Sequence, residues 1–460
     1  MLMFMVVNAQ KTTVVEVAET QKITSEKRQP NQQFGWDVDI DKDFIIVGSP
    51  SYSTLKQKNV GKVELFKKNN TGFEFHSKIL PQLIYRDINY GRAVEIDNAI
   101  IAISSAKNSV SLQNDITINS GMIDVFNFKN NILKRQTLLT FKEATKAYGR
   151  RLSLSNNLLI TKLPPLKNEF ESKVLIYKVN DRNTRIYKEI TINSTDVELF
   201  GQELDISKNR IIVSANNQVF IYEIKQDTII QEAILKQDKT LNFGNAVAIS
   251  GNYAFVTCTS KIPSYFGREV PKSDSIITIL KQDENGSMKT IFEPYTSEFN
   301  YGNKTILGSP THILDSAQAF AKMEETQAEK MFVYKRTNGK WKLYQELTSN
   351  KRTPFEFFGN NIDIKDSLCV VGAFSSPITY EFNNMNAYAG AAYVFKLGSD
   401  GYWSLTKKLV PSKREYWTKF GFSVATDGKS VVVGSRFDKT DLDGLNSLEN
   451  AGAVYYYEFK

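Results

Sequence analysis

The sequence predicts an all-β fold, a β-propeller of eight four-stranded blades with seven as the alternative count, and three observations predict it. An aromatic–glycine pair recurs eight times in 460 residues, at intervals of forty-three to sixty-two. A period near fifty marks a repeat architecture. After each pair come apolar residues two apart and then a run apolar throughout, the pattern of a half-buried strand beside a fully buried one. Finally, the last unit stops at Lys460 without a fourth strand, and the N-terminus carries a spare strand in matching register.

The pairs are Phe34-Gly35, Tyr90-Gly91, Tyr148-Gly149, Phe200-Gly201, Phe243-Gly244, Tyr301-Gly302, Phe358-Gly359 and Phe420-Gly421. In the first strand, side chains four and six residues beyond the aromatic face one way, as with Val38 and Ile40 or Val247 and Ile249. A polar turn such as Asp41-Lys42-Asp43 leads to the second strand, an apolar run such as Ile45-Ile46-Val47 or Val431-Val432-Val433 that ends in a small residue. The third strand ends in an aromatic in nearly every unit, as in Val63-Glu64-Leu65-Phe66 and Val454-Tyr455-Tyr456-Tyr457. Unit five is assigned Ile277-Thr278-Ile279-Leu280 and unit six Met331-Phe332-Val333-Tyr334. Gly61, Gly121, Gly390 and Gly452 open four of these strands, where a Cβ would crowd a neighbour. The fourth strand is more polar, as from Phe73 to Leu80, Trp341 to Leu347 and Trp403 to Leu409, which suits an outer edge.

Unit six departs from this pattern. His312-Ile313-Leu314 stands where its apolar run belongs, and Ala319-Phe320-Ala321 is the candidate displaced strand. In unit five the long loop Ser260 to Asp274 holds a Phe266-Gly267 pair that no strand pattern follows. Ile23 lies eleven residues before Phe34, as Ile79 lies before Tyr90, Leu347 before Phe358 and Leu409 before Phe420. The segment from Val14 to Ile23 is therefore expected to pair with the third strand of the last blade and close the ring.

The unit resembles the FG-GAP repeat, in the subclass without a calcium loop, related in fold to the integrin α-subunit propeller. Phe34-Gly35 with Val38, Ile40 and Val47-Gly48-Ser49-Pro50 carries the resemblance, and Phe420-Gly421 with Val433-Gly434-Ser435 and Ala451-Gly452-Ala453-Val454-Tyr455 carries it most fully. The resemblance covers 34–460 and implies a propeller, usually secreted, associated with adhesion or ligand binding. It does not imply an activity. The expected organisation is a signal-peptide remnant over 1–10, from the apolar run Leu2 to Val7, and one propeller domain over 11–460, with 11–33 as closing strand and lead-in. A secreted, periplasmic or outer-surface location follows as an expectation. No stretch reaches the twenty or so apolar residues of a membrane span.

Composition limits the chemistry. Lys plus Arg is 58 and Asp plus Glu 50, a net charge of +8 that is no nucleic-acid footprint over this length. The basic doublets Arg150-Arg151 and Lys134-Arg135 lack the interleaved aromatics of a single-strand binder. Two cysteines exclude a disulfide scaffold, and Cys258 and Cys369, in units five and seven, read as separate buried thiols. Asp39, Asp41 and Asp43 are acidic, but their turn is too short to wrap calcium. The loop with Asp438, Asp441, Asp443, Gly444 and Glu449 fails as an EF-hand, because Lys439 and Asn450 would fall on ligand places. It reads as a solvated acidic loop or an irregular calcium site. His76 and His312 read as surface histidines, and Trp36, Trp341, Trp403 and Trp417 are candidate sugar platforms.

No catalytic, cofactor-binding or metal-ligating residue is assigned, and no cofactor is expected. Two functions remain in view. The first, which the sequence favours, is a monomeric module that binds a protein or glycan through the loops Ser260 to Asp274, Pro310 to Lys330 and Arg436 to Asn450, without nucleic acid. The second is a secreted polysaccharide hydrolase or lyase, its carboxylates assembled from different blades.

Overall fold

A computed structural model describes residues 14–459, apart from 83, 106–109, 113–115, 119–120, 142–147, 167–170, 181–182, 193–199, 216, 227, 238–240, 261–275, 283–287, 295–311, 315–328, 351–355 and 379–388. Seven blades form the ring, each built on four antiparallel strands and one extended by a fifth. Blade 1 spans Val38–Asp41, Phe44–Ser49, Lys62–Lys68 and Phe73–Ile79. Blades 2, 3 and 4 run from Tyr90 to Thr140, Leu152 to Ile190 and Leu204 to Lys236, blade 5 from Leu241 to Leu347, blade 6 from Phe358 to Leu409, and blade 7 from Phe420 to Glu458.

The expected count of eight is corrected to seven. The second strand of unit five, Tyr253–Ser260, pairs directly with Lys330–Thr337, the third strand assigned to unit six (Cys258 opposite Lys330, Tyr253 opposite Lys335). Ile276–Gln282, expected as the third strand of unit five, pairs instead with Met288–Pro294 in a separate three-stranded sheet that includes His312–Leu314. The physical reason is the missing second strand. A blade is anchored by a run buried on both faces, and unit six has none, so its two outer strands complete blade 5 around an insertion. Met331 and Val333 are fully buried there, and Lys340–Leu347 is the outer edge. Tyr301-Gly302, Ala319 to Ala321 and Phe266-Gly267 lie outside the described residues, as does most of the two expected binding loops of this region.

The N-terminal segment closes the ring, but only in part as expected. Gln21–Ile23 pairs antiparallel with Ala453–Glu458, Ile23 facing Val454. The register is that of the other blades, where Ile79 faces Val63 and Leu409 faces Ala392, each two residues beyond the opening glycine. Val15–Val17, however, adds in parallel to Trp403–Leu409, a fifth strand on blade 6. A single extended strand from Val14 to Ile23 would have to serve one blade; the turn at Ala18 to Thr20 lets the chain cover two edges.

The aromatic of every blade is a wedge. Phe34, Tyr90, Tyr148, Phe200, Phe358 and Phe420 are fully buried and Phe243 nearly so. Phe34, Tyr90, Tyr148 and Phe420 meet the glycine that opens the preceding third strand, Gly452, Gly61, Gly121 and Gly390 in turn, three of them through backbone bridges. At Gly452 the backbone has φ +84°, and a Cβ would lie 2.0 Å from the Phe34 carbonyl oxygen. The two halves of the repeat motif therefore meet across blades rather than within one. Cys258 and Cys369 are free buried thiols, as expected, but with seven blades they lie in neighbouring blades 5 and 6.

Candidate functional site

The first strands of the blades line a central channel, and alternation decides what faces it. Apolar side chains at four and six residues past the aromatic go into the blade cores, so those at three, five and seven face the channel wall. Ten of these positions carry an acceptor that takes a hydrogen bond from a backbone N–H of the next blade. Asp37, Asp39 and Asp41 accept from Val94, Ile96 and Asn98 at 2.9, 2.7 and 2.9 Å. Glu95 and Asp97 accept from Leu154 and Asn156 at 3.3 and 2.8 Å. Ser153 and Ser155 accept from Ile206 and Lys208, both at 3.1 Å, and Asp205 from Ile249 at 2.8 Å. Asn361 and Asp363 accept from Val424 and Thr426 at 2.8 and 2.7 Å. The first strand is the edge of its sheet, and this ladder satisfies its otherwise unpaired N–H groups.

The ladder is strongly acidic. Burial pushes Asp37 and Asp363 up to about 6. Burial raises Asp39 and Glu95 well above the ordinary carboxylate range, reinforced by Asp363 beside Asp39 and by Asp39 and Asp37 beside Glu95. Asp205 is raised by burial against the opposing N–H of Ile249. At the end where the first strands finish, the channel opens as a cavity of about 1320 Å³ whose wall includes Asp39, Glu95, Asp205, Asp363 and Lys365, with the Lys365 ammonium 4.0 Å from Asp41.

The opposite mouth, where the first strands begin, is cationic and aromatic. The residue two past the aromatic is Trp36 in blade 1, Arg92 in blade 2 and Phe422 in blade 7. The Arg436 guanidinium lies 3.7 Å from the Phe422 ring centre, 4.5 Å from Trp36 and 4.6 Å from Phe437. Arg92 lies 4.8 Å from Trp36. Lys419 lies 4.5 Å from Phe374, which stacks on Phe357 at 4.7 Å. Burial and the neighbouring Arg92 lower Arg436 to about 10, and burial with Arg436 lowers Lys419 to about 8.

Other sequence candidates resolve into structural roles. Asp438 is buried and accepts from Lys22 at 3.1 Å, from the Thr440 N–H at 2.9 Å and from the Tyr455 hydroxyl, so it ties its loop to the closing strand. Asp441 accepts from Asn446 and Leu445 within the same loop. Among the described residues no group of three or more His, Cys, Asp or Glu side chains could hold a metal ion. Trp403 is buried, and Trp341 is buried with its indole N–H donating to Glu232 at 2.9 Å; neither offers a sugar platform. Trp417 is about half exposed. Arg151 pairs with Glu203 at 2.7 Å and Arg135 with Asp124 at 3.1 Å, so one member of each basic doublet is held in an ion pair. His76 packs edge-on against Phe128 on an outer strand. The side chain of His312 lies outside the described residues. No helix among the described residues is long and apolar enough to cross a membrane.

Sequence reading missed both channel ends. The ladder had a signal, the polar residues between the paired apolar ones of each first strand. Arg436 had none, because it follows a second strand and reaches Trp36 only around the ring.

The FG-GAP repeat family matches this chain at residues 17–66 and 403–457, the segments that meet at ring closure. Among solved structures, the crystal structure of the Saccharomyces cerevisiae Sqt1 is similar over 96% of this chain and 99% of that one, at 8% identity and a TM-score of 0.43. No curated protein matches the chain.

Proposed function

On the premise that this chain is an FG-GAP-repeat β-propeller, we propose that it is a secreted or cell-surface binding module, monomeric and non-catalytic, that engages a macromolecular partner through the loop-bearing face around its channel. One observation carries this reading. Every acidic residue of the ladder is hydrogen-bonded to the neighbouring blade in one repeated register. An acid–base pair needs two groups whose surroundings push them apart in acidity. Here the resolved shifts on ladder carboxylates all run upward from the same cause, burial, which suits a repeated joint between blades. The apolar run Leu2 to Val7 supports export.

The test is an array of matrix proteins and glycans probed with the full chain, beside a polysaccharide turnover assay. The expected outcome is saturable retention of a partner with no turnover. Turnover lost in Asp205→Asn or Asp363→Asn would overturn the reading in favour of a hydrolase or lyase.

A further inference from the structure

We infer that the cationic mouth formed by Arg92, Arg436 and Lys419 receives the carboxylates of an acidic peptide segment on a partner protein; this rests on the reading of the chain as a binding module. The first ground is an excess of positive charge: of the three cations only Arg92 has an acidic group acting on it, Asp37, and burial with the charges of Arg150 and Arg151 outweighs it. Among the described residues neither Arg92 nor Arg436 makes a hydrogen bond or ion pair, and the Arg436 Nε is buried without a partner. Among the described residues Lys419 donates only to the Ser375 hydroxyl, at 3.0 Å. Burial and then the Arg92 charge lower Arg436, and burial and then the Arg436 charge lower Lys419. Removing guanidinium groups from water beside like charges is costly unless an anion arrives. Elsewhere this chain pairs its half-buried cations, as Arg210 and Arg336 pair with Glu232 at 3.2 and 2.6 Å.

The second ground is geometry, and it chooses the ligand. A guanidinium held over a ring spends none of its N–H donors on it, so they remain free to grip a carboxylate. Trp36 carries two such guanidiniums, Phe422 one, and Phe374 the Lys419 ammonium on top of its stack with Phe357. A sugar or a nucleobase would need those ring faces to stack on, and they are already covered. What the mouth presents is donors held in place by rings. Closely spaced carboxylates on a flexible peptide fit that arrangement, each reaching a different cation.

The experiment titrates the full chain with a fluorescein-labelled peptide of six glutamates, against a matched glutamine peptide and dextran sulfate. The expected result is saturable binding of the glutamate peptide, none of the glutamine peptide, and loss of binding as salt approaches about 0.5 M, where screening is nearly complete over a few ångströms. Arg436→Gln and Arg92→Gln should each weaken binding roughly tenfold, the scale of one charge-assisted contact, with Arg436→Lys in between. If Arg436→Gln does not fold, as judged by its melting curve, Arg92→Gln carries the test. Absence of glutamate-peptide binding, or binding unchanged in both glutamine variants, would overturn the proposal. Arg436-dependent binding of dextran sulfate alone would overturn the peptide assignment while leaving the binding module standing.

Discussion

Two kinds of seam hold the ring, and they solve one problem differently. At the seams from blade 1 to 5 and from 6 to 7, channel-facing acids, serines and Asn361 accept from the next first strand. The seams from blade 5 to 6 and from 7 to 1 lack this device at its central place, because Ala248 and Ala425 stand there and cannot accept. Both of those seams carry a glutamine clamp at the outer strands instead. Gln345 donates to the Trp403 carbonyl at 3.0 Å and accepts from its N–H at 2.8 Å. Gln21 does the same to Phe73, at 2.8 Å in both directions. Gln21 and Gln345 each lie two residues before the apolar end of a fourth strand, and no other blade has glutamine there. The joint has moved from the inner rim to the outer one. The comparison teaches that a row of acids in a repeat protein can be edge satisfaction before it is chemistry.

The comparison can be broken most severely at the closing seam. Removing residues 14–26 deletes the Gln21 clamp, the buried Ile23 and the hydrogen bond from the Glu26 N–H to Glu64. The melting temperature should fall by about 10 °C or more, since Ile23 alone is worth roughly 1.5–3 kcal/mol and an open edge follows. An unchanged melting curve would show that closure does not depend on this strand.

Next in size is Gly452→Ala. Its Cβ would strike the Phe34 carbonyl at the same seam, in a left-handed backbone, at a cost of about 3 kcal/mol by denaturant titration. Gly339→Ala is the control, with a similar φ of +78° and nothing within 4 Å, and should cost about 1 kcal/mol. Equal losses at the two sites would show that backbone strain, and not the contact between blades, is responsible.

Gln21→Ala and Gln345→Ala sharpen the comparison. Each leaves one N–H and one carbonyl of the adjoining blade without its partner, so each should cost about 1–2 kcal/mol. A loss in one variant only would mean that the two clamps are not equivalent.

The smallest effect is on the ladder itself. Asp363 is held up to about 6 by burial, above its unfolded value near 3.8. The folded protein therefore binds this proton more tightly than the unfolded chain does. The contribution of Asp363 is most favourable below about pH 4 and is lost as pH rises through 6. Asp363→Asn keeps an acceptor for the Thr426 N–H and removes the charge that faces Asp39. It should melt roughly 1–3 °C higher than the parent at pH 7.5, the advantage fading toward pH 4. A lower melting temperature at pH 7.5 would mean that the ionised carboxylate is needed at this joint.

The repeat, the strand order, the wedge aromatics and the register of Ile23 were legible in the sequence because each is a local period or a fixed spacing. Alternation over two residues and a continuous apolar run specify strands without reference to anything distant. The blade count was not legible. Unit six has an aromatic–glycine pair and two good outer strands, and only pairing in space shows that Lys330–Thr337 joins Tyr253–Ser260 across the insertion. The parallel addition of Val15–Val17 to blade 6 is likewise a choice between two available edges, which no local pattern encodes.

The same division runs through the candidate sites. The chain by itself determined that Asp37, Asp39, Glu95, Asp205 and Asp363 share one face of their strands, because side chains alternate. Only the closed ring decided what they do, since the amides they accept from lie forty-four to sixty-three residues away in the next blade. The cationic mouth depends on closure still more. Trp36 and Arg436 are four hundred residues apart in the chain and 4.5 Å apart in the fold, brought together because the last blade seats against the first. Strand geometry acts over a few residues and is written in the sequence as a period; ring closure acts over the whole chain and leaves no period to read.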